Sequence, residues 1–231
     1  MIVYGRNAVR EALRGTRTVT HVWASAPARG ERWLEDCGVP VTVQSASELS
    51  RRAGTEGHQG VCAEVSEFRY ADFERLLDDE RALVVALDQV QDPQNLGAIC
   101  RTAECAGAAG VVIPERRSAE VTPAVCKASA GAVEHLPIAR VRNMTDFLLQ
   151  AKRCGFWCYG ADGAAPLDYR RVDLSGPVVV VLGSEGAGLR PRVASVCDAL
   201  VALPVRGSIQ SLNVSAAAAV LIYAAASARE P

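Results

Sequence analysis

The sequence predicts an α/β protein built on a parallel sheet, with a smaller α/β unit ahead of it. Three observations point there. Short, almost wholly apolar runs at Leu83–Leu87, Val111–Ile113, Val178–Leu182 and Ala199–Leu203 read as buried strands. Segments with helical spacing of apolar residues alternate with them. Polar, Gly-rich stretches follow the last two runs at once, and loops at strand carboxyl ends are where parallel sheets meet ligands.

The elements follow in order. Gly5–Leu13 reads as a helix with Ala8, Val9, Ala12 and Leu13 on one face. Strands are expected at Val19–Ala24, Val39–Val43 and Gly60–Val65, and short helices at Arg29–Asp36 and Ala46–Arg52. Residues 1–65 thus make a first domain. Arg6, Arg10, Arg14 and Arg17 recur at near-helical spacing, which fits a basic stripe or a solvated helix face. His58, between Gly57 and Gln59, reads as a loop residue with no acid or Cys at metal-ligand spacing. The acidic stretch 66–81 is the expected linker.

A second domain over 82–231 opens with the strand Leu83–Leu87. Asp92 and Pro93 end that strand region, and a helix runs from about Asn95 to Ala106, closed by Gly107 and Gly110. Thr122 and Pro123 start a helix to Ala130. A strand near Val133–Ile138, a helix Asp146–Cys154 capped by Thr145, a strand Phe156–Tyr159 and a loop Ala161–Arg171 come next. Pro191 opens a helix to Cys197. The final helix, about Asn213 to Ala226, is apolar on nearly every side, so burial all round is expected.

Composition bounds the function less sharply. The 231 residues are 49% apolar and 22% charged, with a net charge of −1. That balance gives no bulk signature of a nucleic-acid binder, although a local patch suffices for one. All but two of the 25 basic residues are Arg, which suits bidentate phosphate contacts, and a compositional bias of the genome explains the skew at least as well. Eight Cys without a CxxC read as free, mostly buried thiols. The opening MIVYGRNAVREAL has no continuous apolar core, and no run reaches membrane-spanning length, so a cytoplasmic protein without membrane association is expected.

The loop GSEGAG at 183–188 is not a dinucleotide fingerprint. Its glycine order is GxxGxG, it lies late in the chain, and no acid follows at the right distance. No phosphate-loop Lys is present. A cofactor without phosphates, such as an adenosyl compound in an apolar slot walled by Leu203 and Leu212, fits better; glycines that merely turn the chain fit as well. Arg101 and Glu104 share a helix face and could be a plain surface ion pair. If the late loops converge on this helix, Arg101 with Asn95, Glu185, Ser211 and Asn213 would instead supply one cation, one carboxylate, a hydroxyl and amides. There is no GxSxG elbow and no clustered carboxylate site for Mg²⁺. The set suits an oxygen nucleophile oriented beside a cationic cofactor.

Three motifs then match a known family in order: NLGAICRTAECAGAAGVVI, VVVLGSEGAGL and LPVRGSIQSLNVSAAAAVLIY. The chain resembles the SpoU class of knotted RNA ribose 2′-O-methyltransferases. The opening YGRNAVREAL and the HQG before Val61 resemble its bacterial 23S rRNA guanosine-2′-O-methyltransferase branch. The resemblance implies a C-terminal α/β domain with a deep trefoil knot, preceded by an L30e-like domain that helps bind RNA. It implies S-adenosylmethionine held by Gly183, Leu203 and Leu212, no metal, and a homodimer through the C-terminal domain. It also implies catalysis by Arg101, Asn95, Glu185, Ser211 and Asn213. An Arg has no acceptor and stays protonated. Arg101 would therefore either hold the adjacent phosphate while stabilising the developing alkoxide, or be tuned by a special environment that includes Glu104. The expected partner is RNA, 23S rRNA ahead of tRNA.

Overall fold

The computed structural model describes residues 1–80, 82–209 and 211–229. Arg81, in the expected linker, and Gln210, Glu230 and Pro231, in the expected second domain, lie outside the described residues. In chain order the first elements are β1 (Ile2–Tyr4), α1 (Arg6–Arg14), β2 (Val19–Ala24), α2 (Ala26–Arg29), α3 (Arg32–Glu35), β3 (Val41–Val43), α4 (Ala46–Ala53) and β4 (Val61–Val65). A 3₁₀ turn at Phe73–Leu77 leads to β5 (Leu83–Asp88), α5 (Pro93–Cys105), β6 (Gly110–Pro114) and α6 (Pro123–Ala128). A second 3₁₀ turn, Ala132–Glu134, precedes β7 (Ile138–Val141), α7 (Met144–Arg153), β8 (Trp157–Ala161) and β9 (Leu167–Asp168). After a third, Tyr169–Arg171, come β10 (Val178–Gly183), α8 (Pro191–Ala194), β11 (Ala199–Ala202) and α9 (Val214–Ser227).

The chain divides into two compact units. The first joins Met1–Arg69 to Glu120–His135, and the second joins Tyr70–Ala119 to Leu136–Pro231. The expected division, with one unbroken domain from 82, does not include this excursion. Within the first unit Arg17 grips Glu134, with both side chains almost fully withdrawn from water, and α6 packs on β1. Leu76 and Leu77 are buried in the core of the second unit, and Ala71 bridges Ala139.

In the first unit the sheet order is β1-β4-β2-β3, with only β2 and β3 parallel. α4 carries a complete capping box, Ser45 with Glu48, and ends on Gly54 in the left-handed region, φ 68°. The expected single helix over 29–36 is instead two one-turn helices, α2 and α3, the first capped by Ser25. The four arginines do not form a free stripe. Arg6 pairs with Glu31, Arg10 and Arg14 both pair with Glu11, and Arg17 is buried on Glu134. His58 is buried rather than at the surface. Its Nδ1 accepts the Gly60 N–H at 2.9 Å and its Nε2 lies 3.2 Å from the Ser50 hydroxyl, so its work is to hold the loop.

The second unit is a seven-stranded sheet in the order β7-β6-β5-β10-β8-β11-β9, parallel throughout. β5 and β10 are buried at every residue, as their unbroken apolar runs require. One face packs against α7 and α8 through Met144, Phe147, Leu148, Ala151 and Val193. On β5 and β10 lies α9, which also packs against α5.

Four local expectations change. The stretch 133–138 is not a strand. Gly131, at φ 90°, opens the 3₁₀ turn, and pairing with β6 begins only at Ile138, past Pro137. α7 is capped by Asn143, whose Oδ1 accepts the Thr145 N–H at 3.0 Å. The expected loop 161–171 contains β9 and a 3₁₀ turn. Finally, α9 is not buried all round: Val220 is 39% and Tyr223 50% exposed on one side. Among the described residues no helix is long and apolar enough to cross a membrane.

Candidate active site

The order of strands reverses beside β5: β6 and β7 lie to one side, and β10, β8 and β11 to the other. Crevices at such a reversal, beyond the strand carboxyl ends, are where open α/β sheets bind ligands. Here Asp88 and Gly183 stand paired at the last positions of β5 and β10.

The loop after β10 turns back on itself. Ser184 and Gly188 form a bridge with hydrogen bonds of 3.0 and 3.1 Å. A Cβ on Gly183 would lie 2.1 Å from the Gly188 carbonyl carbon, so no side chain fits there. Gly186 and Gly188 take φ of 79° and 65°, the left-handed region that glycine enters without strain. The glycines do turn the chain, and the turn shapes one wall of a cleft of about 880 Å³.

That cleft brings together late segments of the second unit. Its walls include Leu182, Val201, Leu203, Val205 and Leu212, and its polar lining includes Asp162, Glu185, Ser211 and Asn213. The three residues expected to hold a cofactor, Gly183, Leu203 and Leu212, all line it. Two carboxylates and no cationic side chain are among the lining residues.

At the edge of the cleft three side chains form a closed polar triangle. Asn95 Nδ2 donates to Glu185 Oε1 at 2.5 Å. Asn213 Nδ2 donates to the same oxygen at 2.8 Å and to Asn95 Oδ1 at 3.1 Å. Each corner is fixed by its own element. Asp92 caps α5, accepting the Gln94 N–H at 2.9 Å and Asn95 Nδ2 at 3.2 Å. Asn213 caps α9, its Oδ1 accepting from the Ser215 N–H and hydroxyl. Residues of three separate stretches thus share hydrogen bonds that none could make alone.

Arg101 stands apart from this triangle. It is exposed on α5, outside the cleft lining, and makes no hydrogen bond or ion pair among the described residues. Six residues separate it from Asn95, so it lies about 9 Å further along the helix and about a third of a turn round from it. The surface pair with Glu104 that the spacing allows does not form. Ser211 lines the cleft from an exposed position.

Two contributors escaped sequence reading. Asp92 was legible, since Asp-Pro is a cap and first-turn pair of the same kind as Thr122-Pro123. The partnership of Arg190 with Asp88 had no sequence signal. The Arg190 N–H donates to Asp88 Oδ2 at 3.0 Å, and its Nε and Nη2 reach Oδ1 at 2.9 and 2.6 Å.

Comparisons with known proteins agree with this architecture. The model of the SpoU rRNA Methylase family matches residues 82–223, and that of RNA 2′-O ribose methyltransferase substrate binding matches 2–71. A Bacillus subtilis protein named as a TrmH family tRNA/rRNA methyltransferase is 38% identical over 240 residues, covering 99% of this chain and 96% of its own. The SpoU methyltransferase AviRb of Streptomyces viridochromogenes, solved with the cofactor AdoMet, superposes with a TM-score of 0.83 at 25% identity, over 99% of this chain and 90% of that one. An AdoMet-bound rRNA methyltransferase of Sinorhizobium meliloti gives 0.79 at 30% identity, over 97% and 85%. The family model spans more than half of the chain and a relative above 30% identity spans nearly all of it: this protein belongs to the SpoU family of RNA methyltransferases.

Proposed function

We propose that this enzyme transfers a methyl group from S-adenosylmethionine to the 2′-hydroxyl of a ribose in 23S rRNA, a guanosine by the resemblance of its opening segment. The observation that carries the reading is the triangle of Asn95, Glu185 and Asn213 at the edge of an apolar cleft. The residues present fit the cofactor. Leu203, Leu212 and Val205 offer flat apolar walls for an adenine ring, and Gly183 lets backbone approach closely. Asp162 and Glu185 suit a cationic ligand, and the lining holds no cation for a diphosphate. When bound, the cofactor supplies a methyl on a sulfonium leaving group.

The chain's own residues then orient and stabilise. Glu185 holds the two amides in one geometry, and Ser211 and Asn213 orient the ribose and the cleft loops. Arg101 is the proposed cation for the phosphate and the developing 2′-oxyanion, with its guanidinium free to take a phosphate in bidentate fashion. Alignment is the main contribution expected, since the leaving group needs little help. The chain is proposed to carry the trefoil knot of its family, and to act in the cytoplasm, where its substrate is.

The choice of rRNA over tRNA rests on coverage. The Sinorhizobium meliloti rRNA methyltransferase aligns with 97% of this chain, whereas the A. aeolicus TrmH/SpoU tRNA modifying enzyme aligns with 68%. A homodimer is proposed as well. Val220 and Tyr223 leave part of α9 open, and a second copy would cover it. The test is methyl transfer to unmodified 23S rRNA and tRNA transcripts, followed by mapping of 2′-O-methyl sites. Methylation of 23S rRNA at one guanosine is expected. Transfer to tRNA alone, or to a base atom, would refute the reading.

A further inference from the structure

We propose that Arg116, Arg117 and Arg142 form a phosphate track that lays the RNA strand beside the candidate site. The inference deepens the reading above and rests on it. β6 and β7 are parallel to β5, so the turns at their carboxyl ends share an edge with Asp88 and Gly183. Neighbouring strands are about 4.8 Å apart, which puts those turns about 5 and 10 Å along the edge from the end of β5.

The turn that carries Arg116 and Arg117 is pinned. The Ser118 hydroxyl and the Ala119 N–H both donate to the Val90 carbonyl, at 3.2 and 2.9 Å. Val90 lies two residues before Asp92, the cap that holds Asn95. Arg117 takes φ 58°, in the left-handed region. A glycine would sit there without strain, and a long charged side chain gains nothing structural in return. Both guanidinium groups are exposed, and neither has a hydrogen bond or ion pair among the described residues. Arg142 has a side chain 92% exposed and, among the described residues, pairs only with Glu115, at 3.9 Å.

Charge therefore divides along the sheet edge. The cleft beyond β10 is lined by apolar groups and two carboxylates. Residues 115–117 and 142, at the turns after β6 and β7, carry three guanidinium groups and the carboxylate of Glu115, with the exposed Glu120 further along the first turn. The polar triangle lies between the two. A polyanionic strand fits the cationic half, with one ribose at the triangle and its neighbouring phosphates on the arginines.

The experiment uses the full chain and unmodified 23S rRNA and tRNA transcripts as probes. Filter binding at several salt concentrations is compared for wild type, Arg117→Gln, Arg116→Gln with Arg117→Gln, Arg117→Gly and Arg142→Gln. The double variant is expected to bind RNA about tenfold more weakly, with the slope of log affinity against log salt reduced by about 1 to 2. KM for RNA should rise far more than kcat falls, and S-adenosylhomocysteine affinity by calorimetry should stay at the wild-type value. Arg117→Gly should keep or raise the melting temperature yet bind RNA as weakly as a Gln variant at that position, which a structural role would not produce. Wild-type affinity and salt slope in the double variant would overturn the track, as would a wild-type protein that binds neither RNA. Binding without methyl transfer to either RNA would refute the proposed reaction, and the binding arms would still decide the track.

Discussion

Arg190 holds Asp88 by backbone and side chain together. Its N–H and guanidinium all converge on a carboxylate that is fully withdrawn from water. Asp88 ends β5, and Arg190 stands just past the glycine loop, so one ion pair ties the loop's far end to the sheet.

Arg190→Ala should therefore act on the loop as well as on stability. The variant leaves the Asp88 carboxylate buried with only the backbone N–H. Breaking a buried pair costs about 3–5 kcal/mol, and the 44% exposure of the Arg190 side chain lets water replace part of it, so about 2 kcal/mol is expected. Urea denaturation measures this. Affinity for S-adenosylhomocysteine should fall in parallel, and unchanged affinity would separate the loop from the cleft.

Substitution of Arg101 is expected to separate chemistry from binding. Arg101→Ala should nearly abolish methyl transfer and leave cofactor affinity normal, because Arg101 lies outside the cleft lining. Arg101→Lys distinguishes charge from the planar fork. If charge alone matters, Lys retains a sizeable share of the rate; if bidentate alignment matters, the loss is about 10²-fold. Single-turnover rates at saturating cofactor and RNA read this step. Wild-type turnover in Arg101→Ala would remove Arg101 from the mechanism.

The pair of Arg17 and Glu134 is expected to dominate the stability of the first unit. The Arg17 side chain is 7% exposed and that of Glu134 is fully buried. Arg17→Ala should cost about 3–5 kcal/mol, since it strands a buried carboxylate. Arg17→Met with Glu134→Leu should recover most of that loss, because both desolvation penalties vanish together. A double variant no more stable than the single one would contradict this.

Burial sets the thiol chemistry. It pushes Cys62 and Cys126 up to about 11, and Cys158 and Cys197 up to about 12. At pH 8 these groups stay protonated and unreactive, so a thiol reagent should first label the exposed Cys105 and Cys154. The unfolded chain loses these protons from about pH 8.5, the folded chain only near 11 to 12. Between those values the unfolded state binds fewer protons, so stability falls as pH rises. The melting temperature should drop from pH 8.5 to 10.5, and less steeply when Cys158 and Cys197 are replaced by Ala. A flat profile would mean that these thiols ionise equally in both states.

Local signals were strong where a segment's own residues decide its state. The apolar runs of β5 and β10, the Thr122-Pro123 start of α6 and the glycines of the late loop all read through. They failed where a distant partner decides. The stretch 133–138 has the apolar content of a strand, but Glu134 is held in the first unit by Arg17, which lies far away in sequence. Of the two readings of the four arginines, the solvated face holds for Arg6, Arg10 and Arg14, which pair with Glu31 and Glu11 at the surface, while Arg17 is drawn into the unit by Glu134.

The α/β class, the strands whose carboxyl ends carry the candidate site, and the family were legible in the sequence, the last through three motifs whose residue types suit one chemistry. Periodicity and glycine chemistry are local properties, so they survive without coordinates. Only the tertiary structure decided that Asn95, Glu185 and Asn213 share hydrogen bonds while Arg101 stands apart, and that Asp88 belongs to Arg190. Each of those relationships joins residues from separate strands and loops. Their distances follow from strand order and from the packing of α9 against α5, which no spacing along the chain encodes.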